Sequence, residues 1–331
     1  GAPRRALRYA TYGYQVLRDT NEHDAVARLS LAMGYALARS GQPHKAIDWL
    51  QSAAAMYRRA ENADGLVSAL NNLGLVYKNL REWREATRYL EQALEIDERK
   101  GLFARMRSHH QNLGLIRYRL GQWEMAEEHF RHSLRIAREV SHAAGEAGAL
   151  LALGMMARRR RQLDRADDCY RQAHELATRT GARREVELAL EFRAEVELDR
   201  GNGPAALALI EPTLEEARAK APHGDVAMEL TIRLGMALRM VGRTGEAHTQ
   251  LSRGLAMAEA AGDRIEHSIA LRELARLDAL KGDASGMEVR LHAAAVVFEQ
   301  LGELYELATT LTAWAENLAL MSSSVRSRLP I

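Results

Sequence analysis

The sequence has little of several features that other classes of protein need. Cys169 is the only cysteine in 331 residues, which excludes an internal disulfide and a cysteine-rich metal site and favours a reducing, cytoplasmic compartment. The formal net charge is +2, which argues against a protein that binds polyanions in bulk. The first residues lack the apolar core of a signal peptide. The longest apolar run, residues 147–157, contains two glycines and is shorter than the roughly 18 residues of a membrane span.

Proline and aromatic residues are also scarce, whereas alanine, leucine, glutamate and arginine dominate. This composition favours helices. A single hydrophobic core rarely grows past about 250–300 residues, so a helical chain of 331 residues favours units that each contact only their neighbours. We find no phosphate-binding loop, nucleophile elbow or Ser-His-Asp order, and we therefore do not expect this chain to be an enzyme.

One pattern recurs about every forty residues. A first column holds small residues: Gly34, Gly74, Gly114, Gly154, Ala194, Gly235 and Ala275. A second column is also small, at Ala46, Ala86, Ala126, Ala166, Ala206 and Ala247, and ends at Met287. A third column is large: Leu50, Leu90, Phe130, Tyr170, Ile210, Leu251 and Leu291. A fixed period in the range of about 20–50 residues is typical of a stacked repeat array.

Each period predicts a helix A, a tight turn and a helix B. Glycine inside a helix costs about 1 kcal/mol relative to alanine, so its repeated use indicates that two helices cross closely there. Pro43 and Pro204 fall where B helices start, a position that needs no N–H donor. One extra residue near 221–224 shifts the last two units by one.

The ends of the array read as half-units. Ala6 and Ala10 fall in the B-helix columns, and Ala315 falls in the glycine column. We therefore predict one repeat array over residues 1–320, with a B helix, seven AB pairs and an A helix, followed by a tail or linker at 321–331. Tyr9, Tyr12 and Tyr14 do not resemble the polar face of a capping helix, so we expect a segment of a longer protein. The alternative is that the end helices cap the array.

The columns resemble the tetratricopeptide repeat in its longer, forty-residue form. Leu73-Gly74, Tyr77, Ala86, Leu90 and Ala93 fall at the spacing of that signature. The form is similar to that of kinesin light chains, the LGN/Pins polarity adaptors and bacterial regulators of the Rap or MalT kind. The resemblance implies an all-α, right-handed superhelical solenoid of antiparallel helical hairpins. The fifth unit departs from the pattern, because Arg193-Ala194 stands in place of Leu-Gly.

In this family the A helices line a concave surface, so helical geometry identifies the side chains that point into it. Carboxamides pair with the N–H and C=O groups of an extended peptide, and arginines bind carboxylates. The resemblance therefore implies that a protein or an extended, acidic peptide binds there. The predicted contact residues are Asn71, Asn72, Lys78, Gln111, Asn112, Tyr118, Arg119, Met155, Arg158, Arg239 and Arg276. The alternative is a solvated groove without a ligand.

Three further groups of charged or metal-binding residue types could have a role in binding. Glu191, Glu195 and Asp199 form an acidic strip that either orients a charged partner or pairs with nearby arginines. The run Arg158–Arg161 fits the C-terminal end of a helix better than a nucleic-acid surface. His129 and His132 are three residues apart, but the spacing supplies no third metal ligand, and we expect no metal and no cofactor.

Two functional hypotheses follow. In the first, the chain is the sensory or adaptor segment of a larger cytoplasmic bacterial regulator and binds a partner segment in the concave groove. In the second, it is an oligomerisation module without a peptide ligand, in which the terminal faces near Tyr9–Leu17 and Leu304–Leu318 pair between copies. We do not expect it to bind membranes.

Overall fold

The computed structural model describes the backbone of residues 2–326, and the side chains of residue 5 and of residues 7–319. The described chain is all α-helical, with sixteen helices and no strand. The first eight helices are α1 (Ala2–Leu17), α2 (His23–Arg39), α3 (Pro43–Arg59), α4 (Ala63–Asn79), α5 (Trp83–Lys100), α6 (Phe103–Arg119), α7 (Trp123–Glu139) and α8 (Ala143–Arg159). The others are α9 (Leu163–Thr180), α10 (Arg183–Asp199), α11 (Gly203–Lys220), α12 (Asp225–Met240), α13 (Thr244–Ala261), α14 (Arg264–Lys281), α15 (Ala284–Leu301) and α16 (Leu304–Arg326).

The order of these helices confirms the predicted all-α array of hairpins. Helix α1 is a B helix, the pairs from α2–α3 to α14–α15 are seven AB hairpins, and α16 is an A helix. Helix α16 continues to Arg326, past residue 320, where we predicted the tail to begin. Residues 327–331 of that tail lie outside the described residues.

The small and large columns meet where the two helices of a hairpin cross. A Cβ atom added to Gly114 would lie 2.5 Å from a ring carbon of Phe130, and one added to Gly74 would lie 2.6 Å from Leu90 Cγ. The members of the large column are fully buried. Glycine is therefore required at these two crossings because the large side chain of helix B occupies the space that a Cβ would need, whereas alanine fills the column at 194 and 275.

The turns inside the hairpins share one backbone feature. A residue with positive φ follows each of the A helices from α2 to α14. Glycine fills most of these positions, as at Gly121 with φ 71°, but Arg81 and Arg161 adopt the same conformation with φ 61° and 58°. A left-handed residue ends a helix and lets the chain reverse within a few residues.

The chain divides into two compact units, the first ending at Ala149 and the second beginning at Leu150. In the first unit, one apolar cluster joins α2, α3 and α4 around Leu50, Tyr57 and Leu73. In the second unit, a larger cluster extends from Ala194 to Phe298. Each unit thus has its own core. Within each unit, successive A helices also contact one another.

Candidate functional site

Polar side chains connect successive A helices in the first unit. Lys78 Nζ on α4 donates a hydrogen bond of 2.8 Å to Asn112 Oδ1 on α6. Gln111 Nε2 on α6 donates one of 3.3 Å to the carbonyl of Gly148 on α8. Asn112 Nδ2 donates to the carbonyl of Ser108, 2.9 Å away in its own helix. The structure therefore brings three predicted site residues, Lys78, Gln111 and Asn112, onto the surface that the A helices share.

A pocket of about 340 Å³ lies between α2 and α4 on the same surface. It is lined by Tyr35, Ala38, Arg39, Leu50, Asn72, Leu75, Val76, Lys78 and Asn79. The lining holds two cations and two carboxamides and no carboxylate, and Tyr35 is 55% exposed at its edge. Burial lowers the pKa of Lys78, because a partly desolvated ammonium is less stable in its charged form. An anionic group entering the pocket would meet a cation that lacks a carboxylate partner there.

Two carboxamide oxygens on this surface are buried and have no hydrogen-bond partner among the described residues, Asn71 Oδ1 and Gln111 Oε1. Buried polar atoms are nearly always hydrogen-bonded in folded proteins. Asn71 lies next to the pocket in sequence but is not part of its lining, whereas Asn72 is. Both residues are only half-buried, so rotation of the terminal amide would turn its oxygen toward a ligand, where it can accept a hydrogen bond from the N–H group of an extended backbone.

The other two predicted residues of the first unit differ in exposure. Tyr118 is 9% exposed, so most of its ring is packed inside the protein. Arg119 is exposed at the C-terminal end of α6. Of these two residues, only Arg119 has its side chain on the protein surface.

The predicted arginines of the second unit contact carboxylates on a neighbouring A helix or, for Arg276, on the same helix. Arg158 forms ion pairs with Glu195 and, at 2.6 Å, with Asp199. Burial lowers the pKa of Arg158, but the two carboxylates outweigh that effect and raise it above its ordinary value. Thus Glu195 and Asp199 of the acidic strip pair with an arginine, as in one of the two sequence interpretations.

Arg239 and Arg276 share a single carboxylate. Their guanidinium groups lie 3.2 Å and 3.6 Å from Glu273, which is 1% exposed. Burial raises the pKa of Glu273, yet the neighbouring arginines outweigh burial and hold it below its usual range. Met155, the remaining predicted residue, is half-buried on α8.

Two further arginines, which are not among the predicted contact residues, extend these pairs into a network. Arg233 on α12 lies 2.9 Å from Glu195 on α10 and 2.7 Å from Glu266 on α14. Arg272 on α14 lies 2.9 Å from Glu306 on α16. We define the ion-pair network as these pairs together with those of Arg158 and Arg239. The sequence contained a signal for it, because each acid follows or precedes its arginine by about one repeat.

A second pocket, of about 610 Å³, borders this network. Its lining combines Arg158, Arg161, Arg272 and Arg276 with Asp199, Glu273, Glu306 and Glu316, and includes Met236, Met240 and Tyr305. The Arg159 guanidinium lies over the Tyr305 ring, 3.4 Å from its centroid, a cation–π arrangement. Because acids and bases are balanced here, the pocket has no charge preference comparable to that of the pocket between α2 and α4.

Three histidines meet inside the third hairpin. The Nδ1 atoms of His110 and His129 are 2.9 Å apart, and the His110 ring is stacked on that of His132 with 4.9 Å between centroids. Burial first, and then the neighbouring histidines and Arg135, lower the pKa of His110 from 6.5 to about 3. The sequence analysis considered His129 with His132 and missed the contribution of His110.

The described residues contain neither a membrane-spanning helix nor a metal-binding cluster. Within residues 2–326, no helix is long and apolar enough to cross a membrane. No group of three or more His, Cys, Asp or Glu side chains there has the geometry to hold a metal ion. The half-buried Cys169 is a free thiol, and burial raises its pKa.

The chain was compared with known proteins. A search of curated proteins found no sequence match. Aspartyl phosphate phosphatase F from Bacillus subtilis has a similar structure, with a TM-score of 0.70 and 13% identity over 86% of this chain and 73% of that chain. The Rap conjugation gene regulator of plasmid pLS20, solved with the Phr* peptide, has a TM-score of 0.66 and 16% identity over 86% of this chain and 77% of that chain.

The quorum sensor NprR from B. thuringiensis covers almost the whole chain. It matches with a TM-score of 0.59 and 11% identity over 96% of this chain and 98% of that chain. At these identities the similarity establishes the fold alone. The family description "Tetratricopeptide repeat" matches residues 25–99 and 104–179, and the remaining hairpins continue the same arrangement of A and B helices. Residues 25–99 and 104–179 are therefore tetratricopeptide repeats, and the other described hairpins share their fold.

Proposed function

We propose that the chain is a non-catalytic scaffold that binds an extended, acidic peptide segment of a partner along the A helices of its first unit. In this proposal it serves as the sensory or adaptor part of a larger regulatory protein. The observation that carries the proposal is the pocket between α2 and α4, whose lining offers cations and carboxamides without a carboxylate.

The chemistry of the surface supports a peptide better than a small rigid ligand. Half-buried carboxamides at Asn71 and Gln111 recur one repeat apart, on α4 and α6. Helices one repeat apart present equivalent groups at regular intervals, which suits the regular spacing of backbone N–H groups in an extended chain. Lys78 and Arg39 would then bind an acidic side chain beside that backbone.

Structures of similar fold provide independent support for this class of ligand. The Rap regulator of pLS20 was solved with the Phr* peptide, and a further Rap protein was solved with competence and sporulation factor. We carry over to this chain only the class of ligand. We leave Arg158, Arg239 and Arg276 out of the proposed peptide site, since each already contacts a carboxylate.

The proposal is tested with two pools of fluorescein-labelled random peptides, one enriched in Asp and Glu and one in Lys and Arg. Fluorescence anisotropy should show binding of the acidic pool and little binding of the basic pool. The double variant Asn72→Ala/Lys78→Met should weaken binding of the acidic pool by about tenfold or more, because it removes a carboxamide contact and a cation.

A matched control is Gln172→Ala, which removes an exposed carboxamide from a B helix, α9. It should leave the affinity unchanged. Equal binding of both pools, or equal binding by the double variant and the wild type, would exclude the pocket between α2 and α4 as the binding site. Thermal unfolding of each variant establishes that the fold is retained.

A further inference from the structure

One arginine of α6 lies against the first turn of α8 and has no carboxylate partner among the described residues. The side chain of Arg107 is half-buried, and its Nε atom is buried without a hydrogen-bond partner in the described part of the chain. Burial lowers the pKa of Arg107, because no acid beside it offsets the loss of hydration. The part of the side chain that remains open to solvent is the part that a ligand can reach.

The position of this side chain is set by its packing on α8. A Cβ atom added to Gly145 would lie 2.7 Å from Arg107 Cδ and 2.8 Å from Arg107 Nε. The arginine therefore crosses the backbone of α8 in the space that a larger residue at 145 would fill. The Gly145 N–H donates a hydrogen bond of 2.8 Å to His142 Nδ1, so this turn is capped by its own chain. Arg107 is thus held in place without an ion pair.

The carboxylates that α6 and the first turn of α8 contact are paired with other arginines. Asp97 lies 2.6 Å from the guanidinium of Arg105, which is also on α6. Glu146, the acidic residue in the first turn of α8, lies 2.7 Å from Arg138. Arg107 therefore keeps its capacity to bind a carboxylate from outside the chain, and a guanidinium does so with two parallel hydrogen bonds.

Arg107 and Lys78 lie on opposite sides of α6. Lys78 Nζ contacts Asn112 Oδ1 from the side of α4, whereas Arg107 lies on the side that faces α8. Arg107 is one helical turn before Gln111, so it borders the surface that the A helices share. Asn112 and Arg107 are five residues apart, which corresponds to about 7–8 Å along a helix that is about 10–12 Å wide with its side chains. The two cationic groups are thus about 13 Å apart.

This separation matches a specific spacing in an extended peptide. A strand rises about 3.3 Å per residue, so four residues span about 13 Å. Side chains alternate between the two faces of an extended chain, so residues four apart point to the same face. Residues three apart span only about 10 Å and point to opposite faces. A peptide lying across α6 therefore meets both cations only with acidic side chains four residues apart.

We propose that Arg107 binds a second acidic side chain of the peptide, four residues away from the one bound at Lys78. This inference rests on the proposed peptide-binding function and adds to it a requirement for the spacing of two acidic residues. It also extends the binding surface from the pocket between α2 and α4 to the first turn of α8.

The spacing is tested with peptides built from alanine, serine and glutamine that carry one glutamate, or two glutamates three or four residues apart. Acetylated and amidated ends leave the glutamates as their anionic groups. In isothermal titration calorimetry, the pair at a spacing of four should bind about tenfold more tightly than the single glutamate, because it gains a charge-assisted contact. The pair at a spacing of three should show little gain, because its second carboxylate points away from α6.

Two variants test the role of Arg107. Arg107→Gln should remove the gain, so that the paired and single peptides bind alike. Gly145→Ala keeps the charge but adds a Cβ in the space that Arg107 occupies, so it should reduce the gain. Arg84→Gln is the matched control, because it removes an exposed arginine from a B helix, α5, with the same change in net charge. It should keep the full gain, and circular dichroism establishes that each variant is folded.

The results distinguish this inference from the function on which it rests. Equal affinities for the spacings of three and four, or a full gain retained by folded Arg107→Gln, would overturn the Arg107 site and leave the peptide-binding function in place. If Arg107→Gln does not fold, a full gain retained by Gly145→Ala would overturn the site in the same way. Failure of every peptide to bind the wild type would overturn both proposals.

Discussion

The A helices of the two units use equivalent positions in different ways. In the first unit, Lys78 contacts a neutral carboxamide on the next A helix, and the pocket beside it contains no carboxylate. In the second unit, Arg158 and Arg272 contact carboxylates on the next A helix. The comparison shows that an inward-pointing cation is available for a ligand only where the following repeat does not supply an acid.

The two arrangements should also contribute differently to stability. Removing one partner of a buried ion pair leaves an uncompensated charge and costs about 3–5 kcal/mol, whereas a neutral hydrogen bond contributes about 0.5–1.5 kcal/mol. The second unit therefore depends on its polar contacts to remain folded. The hydrogen bonds of Lys78 and Gln111 in the first unit can be exchanged for those of a ligand at little cost.

The largest expected effect comes from Arg233→Met. Arg233 is 6% exposed and pairs with Glu195 and Glu266, so its removal takes both guanidinium contacts from the largely buried Glu266 and leaves Glu195 with Arg158 alone. We expect a loss of about 3–5 kcal/mol in the free energy of unfolding. The matched change in the first unit, Lys78→Met, should cost less than about 1.5 kcal/mol. Urea denaturation of both variants measures the difference, and equal losses would contradict the comparison.

A second prediction concerns the stability of the first unit at acidic pH. Because the pKa of His110 falls from 6.5 to about 3 on folding, the unfolded chain binds the proton first as the pH decreases. The contribution of His110 to stability is therefore present above about pH 6.5 and declines by about 1.4 kcal/mol per pH unit below it. Hydrogen exchange measured by mass spectrometry should show that protection of the third hairpin decreases over this range.

The variant His110→Gln tests the cause of that decrease. Glutamine can still hydrogen-bond to His129 but does not titrate, so the third hairpin should lose less protection in acid than it does in the wild type. His44→Gln, at an exposed position on α3, is the control and should keep the wild-type profile. If both variants behave like the wild type, His110 is not the group responsible.

The smallest expected effect is on the stability of the second unit. Its dependence on pH is opposite in sign to that expected for His110. Burial, and then the nearby carboxyl of Glu229, raise the pKa of Glu191 well above its ordinary value. Its contribution to stability is thus present at low pH and is lost as the pH rises through the folded pKa. Glu191→Gln mimics the protonated acid, so its stability relative to the wild type should increase from about pH 5 to about pH 8 in urea denaturation. Glu299→Gln on α15 should show no such trend, and a constant difference for Glu191→Gln would contradict the assignment.

The fold could be predicted from the sequence because the repeat is visible in residue size. Gly114 and Phe130, or Gly74 and Leu90, are paired by steric necessity, and such a requirement leaves the same residue types at the same positions in each period. The end of α16 was predicted less well. The small and polar residues after 320 interrupt the periodicity without ending the helix.

The site could be predicted only in part. Helical geometry identified the inward positions, but whether Arg158 or Arg239 is free depends on an acid that lies 34–41 residues further along. Comparing the charges of equivalent positions in successive repeats would have revealed those pairs. His110 was missed for a related reason, since its partner His129 lies 19 residues away on the other helix of the hairpin.

The connection between α11 and α12 has a practical consequence. Residues 221–224 separate these helices and contain the extra residue of the sequence, yet Ala206 and Ala247 on either side are both fully buried in their columns. Spacing inside a hairpin is fixed by the crossing, whereas spacing between hairpins can vary. A fluorophore, a protease site or a short tether inserted at residues 222–223 should therefore leave the packing of both adjoining hairpins intact, which makes this connection a suitable point of attachment for reporters of peptide binding.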